Sequence, residues 1–191
     1  LYIVKSATED ASLGLDDNSV VTGLAAARAR AEICAAKYGG RWFAESFVEG
    51  REFNVAVLED EDGPHVLPIA EMRFEDWAAG RPKIVGYGAK WDEDSVGWRH
   101  TVRAFGVEDR EPALAADLKD ICRRVWRLLA LSGFARVDFR IAMDGAPTVL
   151  EVNANPCISP DAGFAAAAAQ AGLSYAALIE EIVRAAARPG P

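Results

Sequence analysis

Asp138 and Glu151 lie in a segment, Phe134–Asn153, whose residue order predicts a hairpin with two carboxylates side by side. Two β-rich runs flank Asp144-Gly145, a dipeptide that favours a two-residue turn. With those two residues as the loop, Met143 pairs with Ala146, and counting outward sets Asp138 opposite Glu151 and Arg136 opposite Asn153. Side chains alternate along a strand, so these four share one face. Val137, Phe139, Ile141, Leu150 and Val152 form the other, apolar face. Directly opposed like charges destabilise a sheet, so the pair predicts a cation between them. Oxygen-only ligands of this kind suit Mg²⁺ or Mn²⁺ rather than Zn²⁺. The competing reading is a solvated strand face. It fits less well, because an ordinary exposed strand would mix both signs rather than stack Asp on Glu and end in Asn.

Other residues could serve phosphate or carboxylate chemistry. Lys5 ends an apolar strand and precedes a small-residue loop, Ser6–Gly14, which suits phosphate binding by an ammonium and backbone amides. Glu45 and Glu52 stand at the ends of a strand–turn–strand, where edge solubility is the plainer explanation. Lys90 sits in Gly88-Ala-Lys-Trp91 beside glycine and an aromatic. The loop Asn153–Asp161 runs from the acid pair to a helix N-terminus, a ready anion site, and Asp161 there equally suits the helix dipole. His65 and His100 are isolated from any acid or nucleophile at motif spacing. Cys157, between two prolines, reads as a loop-packing residue. Neither a GxGxxG nor a Walker A sequence is present.

The elements that must position these groups follow from periodicity and breakers. Leu1–Lys5 predicts a strand, and Ser19 caps a helix to Tyr38 with Leu24, Ala27, Ala31, Ile33 and Cys34 inward and Gly39-Gly40 as its stop. Arg41–Val48, Glu52–Glu59 and Val66–Met72 read as strands, with a turn at Asp60–Gly63. Lys83–Trp91 reads as ending in a strand or extended loop. Pro112 starts an amphipathic helix to Ser132, with Leu118, Ile121, Cys122, Val125, Leu128 and Leu129 as its apolar stripe. Ser159-Pro160 caps a helix over Asp161–Ala171, and a last helix covers Ser174–Ala187. The pattern is α+β with antiparallel sheets.

At 191 residues, 51% of them hydrophobic, the chain can bury one good core or two small ones. A net charge of −8 argues against a nucleic-acid binder. No apolar run is long enough to span a bilayer. Three cysteines without CxxC spacing favour reduced thiols and a cytoplasmic setting. The chain opens inside a strand without Met, which predicts a segment of a longer protein.

Taken in order, these pieces resemble an ATP-grasp ligase, most closely the C-terminal part of the D-alanine–D-alanine ligase family. The matching stretches are Val4-Lys5 with Ser12-Leu-Gly14, Ala44–Val57, Leu67-Pro-Ile69, Ala89-Lys-Trp91, Ala135–Asp138, Leu150–Pro156, and Gly172–Tyr175 with Leu178-Ile179. The resemblance implies an ATP-grasp fold of antiparallel sheets flanked by helices, with the family's N-terminal domain missing. Residues 1–50 would be the remainder of the small central subdomain and 51–188 the C-terminal subdomain with the metal site. ATP would be held by Lys5 and Lys90 on its phosphates, with Ser12 in the phosphate loop, by Glu45 on the adenine amino group, by the backbone near Phe47 and Val48, and by Glu52 on the ribose. Asp138, Glu151 and Asn153 would hold two Mg²⁺ (or Mn²⁺), and Arg136 would stabilise the acyl phosphate and tetrahedral intermediate. Cys157, Ser159 and Asp161 would lie near the substrate. The implied reaction joins a carboxylate to an amine at the expense of ATP. The implied partners are small amino-acid-like substrates and the family's N-terminal domain, and a homodimer is allowed.

The departures fall on amino-acid recognition. The family's lysine-proline is Lys5-Ser6, its glycine-serine pair is Asp10-Ala11, a tyrosine is Trp91, and the serine that grips the second substrate's carboxylate aligns with Ala162. Two alternatives stand beside D-alanine–D-alanine ligation: a ligase for another amino-acid pair, and a non-catalytic ATP-binding sensor. Arg136 disfavours the sensor, since binding alone does not require a group placed for the transition state. A purely structural α+β domain leaves the opposed acids unexplained.

Overall fold

A computed structural model describes residues 1–9 and 12–187; the Asp10-Ala11 departure falls outside them. In chain order the strands are β1 (Tyr2–Ser6), β2 (Val20–Val21), β3 (Trp42–Ser46), β4 (Gly50–Asp60), β5 (Gly63–Val66), β6 (Ala70–Phe74), β7 (Thr101–Ala104), β8 (Phe134–Ala142) and β9 (Pro147–Asn153). The helices are α1 (Leu24–Tyr38), α2 (Tyr87–Trp91), α3 (Val96–His100), α4 (Val107–Arg110), α5 (Pro112–Leu128), α6 (Gly163–Gln170) and α7 (Tyr175–Ala186). All the sheet pairings whose registers are resolved are antiparallel, as expected.

Two compact units emerge: Leu1–Glu49 with Arg73–Val102, and Gly50–Met72 with Arg103 onward. Arg73–Val102 groups with the first unit because its bonds run back to the N-terminal loop. Tyr87 N donates to the Leu15 carbonyl at 2.9 Å, Ser12 Oγ donates to the Val85 carbonyl at 3.2 Å, and Arg81 pairs with Asp17 at 2.9 Å.

The first unit holds a small sheet in the order β2-β1-β3. Its buried residues include Val4, Ala27, Cys34 and Ile84. The helix expected from Ser19 begins later. Asp16 instead caps a short 3₁₀ turn, Asp17–Ser19, and α1 starts after Gly23. Leu24 and Ile33 are exposed rather than inward, because the buried stripe of α1 is a narrow one through Ala27 and Cys34, seven residues apart on one face. Tyr87–Trp91 is a helix where an extended segment was expected; Gly86 approaches the Leu15 carbonyl so closely that a Cβ there would lie 2.6 Å from its oxygen.

The second unit is built on the long strands β4 and β8, with β9 beyond β8 and β5 and β6 on β4. Period-two alternation splits their side chains between two faces. Phe53, Val55, Val57, Ala135, Val137, Phe139 and Ile141 pack with Ala115, Leu118, Cys122 and Trp126 of α5. Ala56 and Leu58, with Phe134 beside them, pack under Phe164, Ala165, Ala167 and Ala168 of α6 and Leu178 of α7. The alanine run thus lets α6 approach the sheet closely. Leu128 and Leu129, expected on the α5 stripe, are exposed, since α5 ends at Leu128. Ser159 does not cap α6: the N-cap is Ala162, without a side-chain bond.

Candidate active site

The acid hairpin forms, and its inner register is the expected one: Arg136 faces Asn153 and Asp138 faces Glu151. The route to it differs. Ile141 pairs with Pro147, so the loop is Met143-Asp144-Gly145, closed by Gly145 N on the Ala142 carbonyl at 2.9 Å with Gly145 at φ 87°. That is the three-residue hairpin with a left-handed glycine, not the two-residue one. A bulge between Asp138 and Phe139 then restores the register. The two one-residue departures cancel.

Asp138 is buried and Glu151 is exposed. Arg136 donates from Nε and Nη2 to the two Asp138 oxygens, each at 2.7 Å, and its Nη2 lies 3.9 Å from Glu151 Oε1. Asn153 Nδ2 donates to Glu151 Oε1 at 2.9 Å and to Asp138 Oδ2 at 3.3 Å. Part of the positive charge the acids demand is therefore supplied by Arg136. Burial pushes the Asp138 carboxyl above the usual carboxylate range, Arg136 opposes, and Glu151 adds to the rise. Burial disfavours the Arg136 cation, yet the hydrogen bonds and charge of Asp138, with Glu151 and Glu52, hold its pKa above the ordinary guanidinium value. The donors fit a hard divalent ion: two carboxylates and one amide converge, and turning the Asn153 amide over offers its oxygen.

The same sheet face carries more than the sequence reading singled out. Glu52 faces Arg140, and Asn54 faces Asp138, across β4 and β8. Glu52 and Arg140 are both buried and ion-paired at 3.2 Å, and Arg140 also donates to the Gly50 carbonyl at 3.1 Å. Asn54 and Arg140 could have been found from the alternation that starts at Glu52 and Asp138. In the loop after β9, Cys157 and Ser159 are exposed and touch each other at 3.3 Å.

Lys5, Ser12, Glu45, Phe47, Val48 and Lys90 belong to the first unit, and Glu52, Arg136, Asp138, Glu151, Asn153, Cys157, Ser159 and Asp161 to the second. Lys5 ion-pairs with Glu45. The β1–β3 register makes this a diagonal pair, with Lys5 opposite Phe43 and Ile3 opposite Glu45. Ser12 holds a left-handed φ of 63°. Lys90 lies in the last turn of α2. A cavity of about 580 Å³ in this unit is lined by Gly14, Asp16, Tyr38, Trp77, Gly86 and Tyr87 among others, but by none of the seven residues expected to bind ATP. Arg30, which sequence reasoning passed over, ties the loop above it: its Nη2 donates to the Gly14 carbonyl at 3.0 Å and to Asp16 Oδ1 at 2.8 Å.

His65 is not isolated. Its Nε2 lies 2.8 Å from Asp60 Oδ1, and Asp62 completes a trio on the β4–β5 hairpin with ligand atoms within 4.8 Å of one another.

The family model described as "D-ala D-ala ligase C-terminus" matches residues 2–184. The chain belongs to that family. A D-alanine–D-alanine ligase of Bordetella petrii is 33% identical over 153 residues, covering 80% of this chain and 43% of its own length. An uncharacterized protein of Sinorhizobium fredii is 30% identical over 186 residues, covering 97% and 52%. Among solved structures, a Bacillus anthracis D-alanine–D-alanine ligase complexed with ATP superposes with a TM-score of 0.66 at 20% identity, covering 97% of this chain and 59% of that one. The VanG D-Ala:D-Ser ligase from Enterococcus faecalis gives 0.68 at 18% identity, covering 96% and 48%. These likenesses establish the ATP-grasp ligase fold, with antiparallel sheets flanked by helices. The chain spans about half the length of the curated relatives it matches.

Proposed function

We propose that this member of the D-ala D-ala ligase C-terminus family carries the nucleotide, metal and transition-state groups of an ATP-dependent carboxylate–amine ligase. The observation that carries the reading is the Arg136–Asp138–Asn153–Glu151 cluster, where a forked cation is locked beside two acids on one sheet face. Residues Leu1–Glu49 with Arg73–Val102 would serve as the central subdomain, and the second unit as the C-terminal one. Lys5 and Lys90 would meet ATP phosphates, Ser12 the phosphate loop, Glu45 the adenine amino group, the Phe47–Val48 backbone the base, and Glu52 the ribose. The Lys5–Glu45 pair would then open to give each partner its own contact on the nucleotide.

A carboxylate oxygen of the first substrate attacks the γ-phosphorus, the bond to the β-phosphate oxygen breaks, and ADP leaves. The acyl phosphate is attacked at its carbonyl carbon by the second substrate's amine. The carbon–oxygen bond to phosphate then breaks and the amine proton passes to solvent, leaving an amide. Mg²⁺ held by Asp138, Glu151 and Asn153 would supply neutralisation of phosphate charge. Arg136, kept rigid by its two bonds to Asp138, would face the negative charge that gathers on the acyl oxygen. Cys157, Ser159 and Asp161 would border the amino-acid-like substrates. The cytoplasm, reducing and ATP-rich, suits the unpaired cysteines and the cofactor.

The test is phosphate release by the full-length protein with ATP and Mg²⁺ across a panel of amino acids. Amino-acid-dependent release supports the ligase; ATP binding without any such release would favour a sensor of the same fold. Glu151→Gln should abolish the release, and unchanged turnover would sink the metal assignment.

A further inference from the structure

The sheet face that carries the acid cluster holds a second arginine, which the scheme above does not use. Arg140 lies two residues beyond Asp138 on β8 and directly opposite Glu52 on β4, with Asn54 opposite Asp138 one rung away. Its side chain is 4% exposed, against 18% for Arg136. Nη2 of Arg140 reaches Glu52 Oε2 at 3.2 Å, and Nη1 donates to the Gly50 carbonyl at 3.1 Å. Both anchors belong to β4 and stand two residues apart, so one planar fork is pinned at two points of a single strand.

A buried ion pair adds little to stability beyond what apolar side chains of the same volume would give. The same two strands already hold Phe53, Phe139 and Ile141 in the α5 core on their other face. What the pair supplies is direction. A carboxylate held by a fixed guanidinium keeps its orientation, and its oxygens accept further hydrogen bonds. Arg140 and Asp138 are two strand steps apart, about 7 Å, so Glu52 is aimed beside the acids that would hold the metal.

We infer that Arg140 is a positioning residue for nucleotide selectivity: by fixing Glu52 it sets how strongly the ribose hydroxyls of ATP are read. The inference rests on the reading above in which Glu52 meets the ribose. Arg140 touches no part of the nucleotide itself and acts through Glu52 alone.

The test measures nucleotide binding to the full-length protein with Mg²⁺ and no amino acid. Wild type, Arg140→Met and Arg140→Lys are each titrated with ATP, 2′-deoxyATP and 3′-deoxyATP. Wild type should bind ATP about 10- to 100-fold more tightly than the deoxynucleotide lacking the hydroxyl that Glu52 holds, as expected for a hydrogen bond to a charged acceptor. Arg140→Met should weaken ATP about 10-fold while binding that deoxynucleotide nearly as wild type does, so the preference collapses. Arg140→Lys keeps the charge without the fork and should show an intermediate preference. Thermal midpoints identify the folded variants. If Arg140→Met does not fold, the lysine variant decides, and a wild-type preference in it overturns the positioning role. An equal loss of affinity for all three nucleotides also overturns that role, marking the pair as merely structural, and leaves the Glu52 assignment standing. A wild type that binds all three alike removes the ribose assignment of Glu52 and the inference with it.

Discussion

Arg136 holds both oxygens of Asp138 through the Nε–Nη2 edge of its guanidinium, two positions apart on one strand and at 2.7 Å to each. Residues two apart on a strand point to the same face, so the contact follows from β8 itself and needs no distant loop. The acid that would hold a metal and the cation that would face the transition state are thereby set by one another. Any movement of one is a movement of both.

That coupling makes lysine a poor replacement. Arg136→Lys keeps the charge but loses the fork, so one Asp138 oxygen is released and the cation loses its fixed direction. Amino-acid-dependent phosphate release should fall by about 10²- to 10³-fold in kcat. Wild-type turnover in the lysine variant would show that charge alone suffices.

The buried Glu52–Arg140 pair should matter for folding apart from any role with nucleotide. Glu52→Ala leaves a buried guanidinium short of its carboxylate, at a cost of about 3–5 kcal/mol. Replacing both, Glu52→Leu with Arg140→Met, should cost clearly less than the sum of the two single changes. Urea midpoints of the four proteins measure this, and simple additivity would contradict it.

Gly50 has a φ of 154°, and a Cβ there would sit 1.9 Å from the Ile141 carbonyl oxygen. Gly50 also faces Ala142 in the β4–β8 ladder and receives the Arg140 hydrogen bond on its carbonyl. Gly50→Ala must therefore spread the two strands where they anchor the acid face, costing about 3 kcal/mol. A thermal midpoint within error of wild type would refute this.

The three cysteines should separate cleanly by reactivity. Cys157 is exposed, whereas Cys34 and Cys122 are buried and unpaired. Burial raises both buried thiols, Cys122 to about 12. At pH 8 only about one Cys122 in ten thousand would be thiolate. One thiol should react rapidly with a disulfide reagent in the native protein and all three in denaturant. Because the Cys122 pKa is raised from 9.0 to about 12 on folding, its stabilising contribution is complete below pH 9 and is lost as pH rises toward 12. Cys122→Ala should flatten that alkaline decline.

Much of this was legible in the chain because alternation and breakers act locally. The β4 and β8 strands, the amphipathic α5 and the Asp138–Glu151 opposition all follow from side-chain period. What failed involved choices made by distant contacts. Tyr87–Trp91 coils because Gly86 is pressed against Leu15, a neighbour seventy-one positions earlier in the chain. The start of α1 was misplaced because Ser19 turns inward and bonds to the Gly14 carbonyl instead of capping a helix. Arg30 gave no signal of its own, since an arginine's meaning depends on which distant carbonyls and carboxylates it reaches.

The cancelling departures in the β8–β9 hairpin have a practical consequence. Its tip and its acid-bearing base obey different phase rules, joined by the bulge beside Phe139. Met143, at the tip, is 87% exposed. A short tag or fluorophore-bearing insertion between Asp144 and Gly145 could be accommodated there, with the change in length taken up before it reaches Glu151. The tip is thus a natural mounting point for a probe that watches the acid cluster without touching it.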